Sequence, residues 1–358
     1  MTAPLSPITC NEQASVWMHR GMDLMETNLP ANLEEAVRCF DEAIALRLTL
    51  PLAENSRHRY GLAAGWMNRG DALARLGAPD QLIASVKSYD EALSLLLTLP
   101  LQEDPLYPRR LVIAWINHGF ARQKEPTPAA QTDAVRCFRE ALAVLDSSPA
   151  TAIADRVLLQ AGAWTNLAGA LLNDSAPQAE EAMKAVRQVL ILIKPSEQND
   201  VASAEAGFKA RYLLCRAIAM ESRDGLTVKP ELLATATDAV DESLSLARHW
   251  EQLGDDRFRE PARDLFRFGC RLYQTGQPRF LAEFLLENLD PKKAAGTLPV
   301  DQKTHEAAIA ALWTALKEIQ RDGFKSLSTP RFEQLLEKLR TLRITEERLT
   351  QLRRDASA

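Results

Sequence analysis

The chain has 358 residues, a hydrophobic fraction of 46% and a formal net charge of −5, which suits two ordinary domains or one long repeat array. The acidic balance argues against nucleic-acid binding, because nucleic-acid-binding proteins usually carry a basic footprint. No run of about 18 apolar residues is present, so we expect no membrane span and no membrane partner. Residues 1–10 lack the basic and apolar regions of a secretory signal.

The five cysteines contain no Cys-x-x-Cys pair. Cys39 and Cys137 precede Phe40 and Phe138 and are 98 residues apart. We expect these thiols to be small buried apolar groups. A reduced, cytoplasmic compartment is the default expectation for such a chain.

A short stretch recurs along the first half of the chain, and its clearest copy runs from Trp66 to Gly70. Three classes of residue, namely large aromatic, small and proline, recur at intervals of 49 residues. A fixed period of this size predicts one structural unit copied in tandem. The repeated positions are Trp17, Trp66, Trp115 and Trp164; Gly21, Gly70 and Gly119; Phe40, Tyr89 and Phe138; Ala43, Ala92 and Ala141; and Pro30, Pro79, Pro128 and Pro177.

Each unit predicts two helices of about 18–20 residues, because apolar residues fall three or four apart. In the second unit, Gly77 and Pro79 separate the helices, since glycine suits a C-cap and proline cannot extend a helix. Asn32 and Glu35 have the spacing of a capping box, and the segment 104–108 predicts a rigid linker. The predicted helices are 11–27 and 32–48 in the first unit and 56–76 and 80–97 in the second. The third unit is predicted over 107–148 and the fourth over 150–194.

A spacing of four residues places Trp66, Gly70 and Ala74 in one ridge on the first helix of the second repeat. The small Gly70 leaves a gap in this ridge. We expect Tyr89 and Ala92, from the second helix, to fill that gap.

Beyond residue 195 the repeat continues with insertions and deletions. Terminal units of a repeat array commonly diverge, because they present a polar outer face. The predicted organisation is an N-terminal extension over 1–10, four regular units over 11–195, two diverged units over 196–290 and capping helices over 291–358.

The order Trp, Asn, Gly and Ala at steps of two residues resembles the first helix of the tetratricopeptide repeat. Trp66, Asn68, Gly70 and Ala72 carry this resemblance. The unit here is 49 residues rather than 34, which is more similar to the long-helix repeats of kinesin light chains. The resemblance implies an all-α, right-handed superhelical solenoid of stacked antiparallel helix pairs.

The family has no chemistry of its own and binds proteins or peptides along the concave face of the first helices. The resemblance therefore implies a non-catalytic interaction scaffold or regulatory module, without a cofactor. An apolar groove there would accept an amphipathic helix or an apolar peptide. The alternative is that the same side chains pack on the neighbouring repeat. The residues assigned to this face are Met18, Met22, Met67, Asp71, Ile116 and Phe120.

Motifs for chemistry are absent from the sequence. It has no His-x-x-x-His spacing, no glycine-rich phosphate loop and no Gly-x-Ser-x-Gly elbow. We therefore expect no metal site, no nucleotide site and no catalytic residue.

Two alternatives remain open. The first is an adaptor that forms homodimers through its C-terminal helices, where four leucines form a heptad-like stripe. The second is an enzyme whose site lies within residues 200–358, where the repeat decays. A cluster of buried groups with shifted pKa values in that half would favour the enzyme. The stripe consists of Leu335, Leu339, Leu342 and Leu349.

Overall fold

The computed structural model describes residues 6–274, except for 126, 150–152, 154, 175 and 222–229. Eleven α-helices and no strand lie within this part of the chain. The chain divides into two compact units, one that ends at Pro177 and one that begins at Gln178. The predicted capping helices and the leucine stripe lie outside the described residues.

The first unit is a tandem array of helix pairs, α1 with α2, α3 with α4, and α5 with α6, followed by α7. A short turn joins the helices of each pair, so they run antiparallel. We call α1, α3, α5 and α7 the A helices and α2, α4 and α6 the B helices. From α3 onward, each A helix contacts the preceding A helix and the B helix between them. This confirms the all-α fold of stacked helix pairs, while the handedness stays a prediction. The bounds are α1 Pro7–Glu26, α2 Pro30–Leu48, α3 Ser56–Leu76, α4 Pro79–Leu96, α5 Leu106–Gln123, α6 Pro128–Ser147 and α7 Arg156–Asn173.

The second unit has four described helices, each in contact with the next, and α9 also contacts α11. Its core includes an aromatic cluster in which Phe208 stacks on Phe258 with ring centroids 5.1 Å apart. Trp250 lies 5.6 Å from Phe258 on the same measure. The bounds are α8 Ala179–Ile193, α9 Val201–Glu221, α10 Pro230–Gln252 and α11 Arg259–Gln274.

Repeated prolines begin the B helices rather than end the A helices. The first turns of α2, α4 and α6 contain Pro30, Pro79 and Pro128. Backbone N–H groups in a first turn make no hydrogen bond within the helix, so a proline there costs none. Gly77 caps the C-terminus of α3 with a φ of 77°, and its N–H donates to the carbonyl of Leu73. Glycine adopts this left-handed conformation at little cost.

Two local predictions were wrong. Asn32 does not cap α2, because that helix already begins at Pro30 and the Asn32 amide donates to the hydroxyl of Thr27. The predicted linker before the third unit is partly helical, because α5 begins at Leu106. Tyr107 is buried there and packs against Tyr60, with ring centroids 5.4 Å apart.

On each of α1, α3 and α5, a glycine lies against an aromatic ring of the B helix in the same pair. Tyr89 lies against Gly70, and Phe138 lies against Gly119. A Cβ added at Gly119 would lie 2.6 Å from Cε1 of Phe138, and one at Gly70 would lie 2.9 Å from Cζ of Tyr89. Phe40 and Gly21 repeat the contact in the first pair. The rings are buried, so only glycine leaves room for them at this helix separation.

The repeated tryptophans lie beside this contact rather than inside it. Trp17, Trp66 and Trp164 are only partly buried, whereas Trp115 is buried. The guanidinium of Arg69 lies 5.7 Å from the centre of the Trp66 ring, a cation–π distance. The predicted ridge therefore closes on Tyr89, and Trp66 forms its outer edge.

Polar side chains at repeated positions link each pair to the next. Arg69 on α3 donates to Asp41 on α2 at 2.7 Å. Arg75 donates to the carbonyl of Met25 at 3.1 Å, and Lys124, 49 residues later, donates to the carbonyl of Ala74. Cations near the C-terminal carbonyls of helices stabilise them.

We predict that Gly119→Ala lowers the free energy of unfolding by about 1–2 kcal/mol. The added methyl group meets the Phe138 ring, and overpacking outweighs the gain in helix propensity. Urea unfolding measures the change.

Gly162→Ala is the matched control, because a Cβ at Gly162 meets nothing within 4 Å. This mid-helix change should raise stability by about 0.5–1 kcal/mol. If Gly119→Ala stabilises the protein as much as Gly162→Ala, the glycine–aromatic contact does not set the helix spacing.

Candidate functional site

The residues assigned to the A-helix groove separate into two classes. Met18, Met67 and Ile116 have exposed fractions of only 7%, 2% and 8%. Met18 faces the next pair, since a Cβ at Gly65 would lie 3.8 Å from its sulfur. The long helices bury these three side chains between neighbouring pairs, so they are core residues and not a docking surface.

Met22 and Phe120 remain exposed, at 41% and 40% of their surface. They occupy the same repeat position on α1 and α5, and Asp71 occupies it on α3. Asn68 lies three residues before Asp71, on the same face of α3. We call Met22, Asn68, Asp71 and Phe120 the A-helix face.

Asp71 is held by two hydrogen bonds. Its carboxylate accepts from the Tyr89 hydroxyl on α4 and from the Asn117 amide on α5, the latter at 3.0 Å. Burial raises the pKa of Asp71, although the hydrogen bond from Tyr89 and the charge of Arg75 oppose this shift. Burial and the nearby Asp71 carboxylate raise the pKa of Tyr89 well above its usual value. The network joins the second pair to the third.

The amide of Asn68 has no hydrogen-bond partner within the described residues. Asn117 occupies the equivalent position in the third repeat, and its amide donates to Asp71. Asn68 has no such acceptor, because the residue equivalent to Asp71 in the first repeat is Met22, whose side chain has no oxygen. A half-buried amide at the centre of the face is therefore left for another molecule or for water.

A second group of residues has the composition of a cysteine–histidine–aspartate triad. Nδ1 of His118 lies 3.5 Å from the sulfur of Cys137, and Nε2 lies 3.4 Å from Oδ1 of Asp90. Motif searching missed this group because its members lie on three different helices.

The electrostatics of this group do not favour a reactive thiolate. Burial raises the pKa of the Cys137 thiol to about 12 and lowers the pKa of His118 to about 4, a shift that Arg122 and Arg136 reinforce. Both groups are neutral at pH 7, whereas a nucleophilic cysteine needs a depressed pKa. The same three positions one repeat earlier hold Arg69, Ser88 and Asp41, where Arg69 donates hydrogen bonds to the other two. The group is therefore a variant of a packing contact.

The second unit contains a buried ion network that the sequence did not reveal. Arg211 is 1% exposed and donates to Glu197 at 2.9 Å and to Glu242 at 2.8 Å. Burial would raise the pKa of Glu242, but hydrogen bonds from Lys194 and Arg211 outweigh it and lower that pKa. Ion pairs that neutralise each charge are a structural arrangement and do not tune a carboxyl for acid–base chemistry.

Two further searches covered only the described part of the chain. It holds no group of three His, Cys, Asp or Glu residues placed to bind a metal ion. None of its helices is both long and apolar enough to cross a membrane. The four described cysteines are buried and form no disulfide bond.

No family model matches the chain, and no curated protein gives a significant match. One similar solved structure is described as a "Circular tandem repeat protein with novel repeat topology and enhanced subunit contact surfaces". It is 12% identical over 98% of this chain and 86% of its own length, with a TM-score of 0.32. This score is too low to establish a common fold, so the fold assignment rests on the helices themselves.

We predict that the chain loses stability as the pH falls from 6.5 towards 4, in part because of His118. Its pKa is lower in the folded protein than the ordinary histidine value of 6.5, so the unfolded state binds the proton more readily in this interval. The loss from His118 reaches about 3 kcal/mol near pH 4 and is complete only below that pH.

His118→Leu isolates this contribution. Leucine suits the position, because Leu167 occupies the equivalent place in the fourth repeat. Urea unfolding at several pH values should show a smaller loss of stability for the variant between pH 6.5 and 4. Equal losses in both proteins would contradict the assignment.

Proposed function

We propose that the chain is a non-catalytic scaffold that binds a partner protein or peptide through the A-helix face. The exposure of Met22 and Phe120 at one repeat position carries this proposal. Large apolar side chains that stay exposed at one repeated position are suited to act as separate anchors for a partner. The equivalent side chains one turn earlier, such as Met18, are buried.

The dimensions of the face suit a short segment of a partner. Neighbouring helices pack about 8–10 Å apart, so Met22 and Phe120 lie roughly 20 Å from each other across three A helices. An amphipathic helix or an extended peptide spans this distance with two apolar anchors. Between them, Asn68 offers an amide and Asp71 a carboxylate, which favour hydrogen-bonding or basic groups over an acidic segment.

We also infer that the units are long-helix tetratricopeptide-like repeats. The support is the 49-residue period together with the contact of Gly70 with Tyr89 inside a helix pair. Binding along the A helices is the use that this resemblance implies. Nucleic acid is a poorer candidate partner, because the face carries Asp71 and no cation.

The proposal of a non-catalytic role is supported by the chemistry of the two most enzyme-like groups. The thiol of Cys137 and the imidazole of His118 are buried and neutral. The charges of Lys194 and Arg211 balance those of Glu197 and Glu242.

We predict that Met22→Glu/Phe120→Glu weakens partner binding by at least about tenfold, because interface anchors typically contribute more than 1 kcal/mol each. A photoreactive amino acid at position 120 first identifies the partner in native extract. Titration of that purified partner then gives Kd for each variant.

Ile83→Glu/Leu97→Glu is the matched control, since these side chains are 50% and 60% exposed on or beside α4. It adds the same charge away from the A-helix face and should leave Kd unchanged. Unchanged binding by the Met22/Phe120 variant, or equal loss by the control, would reject the face as the docking surface.

A further inference from the structure

The second unit has a cavity of about 370 Å³ between the C-terminal end of α8, the turn that follows it and the second half of α10. This volume lies at the lower end of the range for small-molecule sites. Its polar lining includes Lys194, Glu242, Ser245, Arg248 and His249. None of the residues of the A-helix face lines this cavity, so its test stands independently of the proposed function.

The charges around this cavity are unequally paired. Lys194 contacts Glu242 at 2.9 Å, and Arg211 contacts both Glu242 and Glu197. These two cations and two carboxylates balance. Arg248 is the remaining full charge in the lining, and the described residues provide no hydrogen-bond or ion-pair partner for any of its nitrogens.

Arg248 differs from the other arginines whose Nε is buried without a partner. Arg59 and Arg122 also have such an Nε, but another nitrogen of each makes a hydrogen bond. Arg248 is itself half-buried, and its Nε is fully shielded from solvent. Its two terminal nitrogens have no partner and are not buried, so they are open to an acceptor on a ligand.

His249 shapes the wall of the cavity but has no free donor for a ligand, because its one N–H is already engaged. Its Nε2 lies 2.8 Å from the carbonyl oxygen of Gln198, so Nε2 carries the hydrogen and donates it. The ring is therefore held in place and packs edge-on against Trp250 at 6.1 Å. The hydroxyl of Ser245 is exposed in the same lining and supplies a neutral donor.

We propose that this cavity binds a monocarboxylate, with Arg248 as its main ligand and Ser245 and Lys194 beside it. A guanidinium matches the two oxygens of a carboxylate. A doubly charged phosphate is disfavoured, because Glu242 also lines the cavity. The carboxylate belongs either to a free small acid or to the C-terminus of a peptide.

The test is thermal unfolding of the full chain at low ionic strength with butyrate, with butyramide as the uncharged comparison. For a half-saturation on the order of 1 mM, about 20 mM butyrate raises Tm by about 2–4 °C. Butyramide should give no shift, and phosphate should give a smaller one than butyrate. A tetra-alanine peptide with a free C-terminus, compared with its amide, tests the peptide source.

Arg248→Gln should abolish the response to butyrate, and Arg57→Gln should keep it. Arg57 is exposed and does not line the cavity, so its substitution makes the same charge change at a residue outside the lining. Ser245→Phe fills the cavity while it leaves Arg248 in place, and it should abolish the response too. The proposal fails if neither butyrate nor the peptide shifts Tm, if phosphate shifts it more, or if Arg248→Gln still responds.

Discussion

The contact between a glycine and an aromatic ring is the constraint on which the first unit depends. Phe40, Tyr89 and Phe138 lie directly over glycines of the facing helix, at distances that leave no room for a methyl group. A buried ring brings a large apolar area into each pair, and the glycine allows the backbones to approach. Ala168 and Arg187 replace this combination in the fourth repeat, and the chain divides into its two compact units within that repeat.

Once each pair has formed, its A helix presents two faces with different roles. One face packs on the neighbouring pairs and takes up Met18, Met67 and Ile116. Polar links such as Arg69–Asp41 and Asp71–Asn117 fix the register between pairs. The remaining face is left with exposed apolar anchors and an amide without a partner. Packing of the pairs therefore creates a surface that no single helix pair has.

The sequence predicted the helix pairs and the contact of Tyr89 with Gly70, because both follow from the spacing of apolar and small residues. The limits of α3 agree with the structure to the residue, since Gly77 marks its end. The burial of Met67 was not predictable, because a helical stripe has the same spacing whether it faces a partner or a neighbouring repeat. Arg211 was missed because its partners Glu197 and Glu242 lie on other segments, and sequence spacing does not record such contacts.

A double-mutant cycle between Gly119 and Phe138 tests the central constraint most directly. Urea unfolding would compare Gly119→Ala, Phe138→Leu and the double variant with the parent chain. If the ring blocks the added methyl group, the smaller leucine relieves the clash. The stability of the double variant then exceeds that expected from the sum of the single changes by at least about 1 kcal/mol. Strict additivity would contradict the account, because the two residues would then contribute independently.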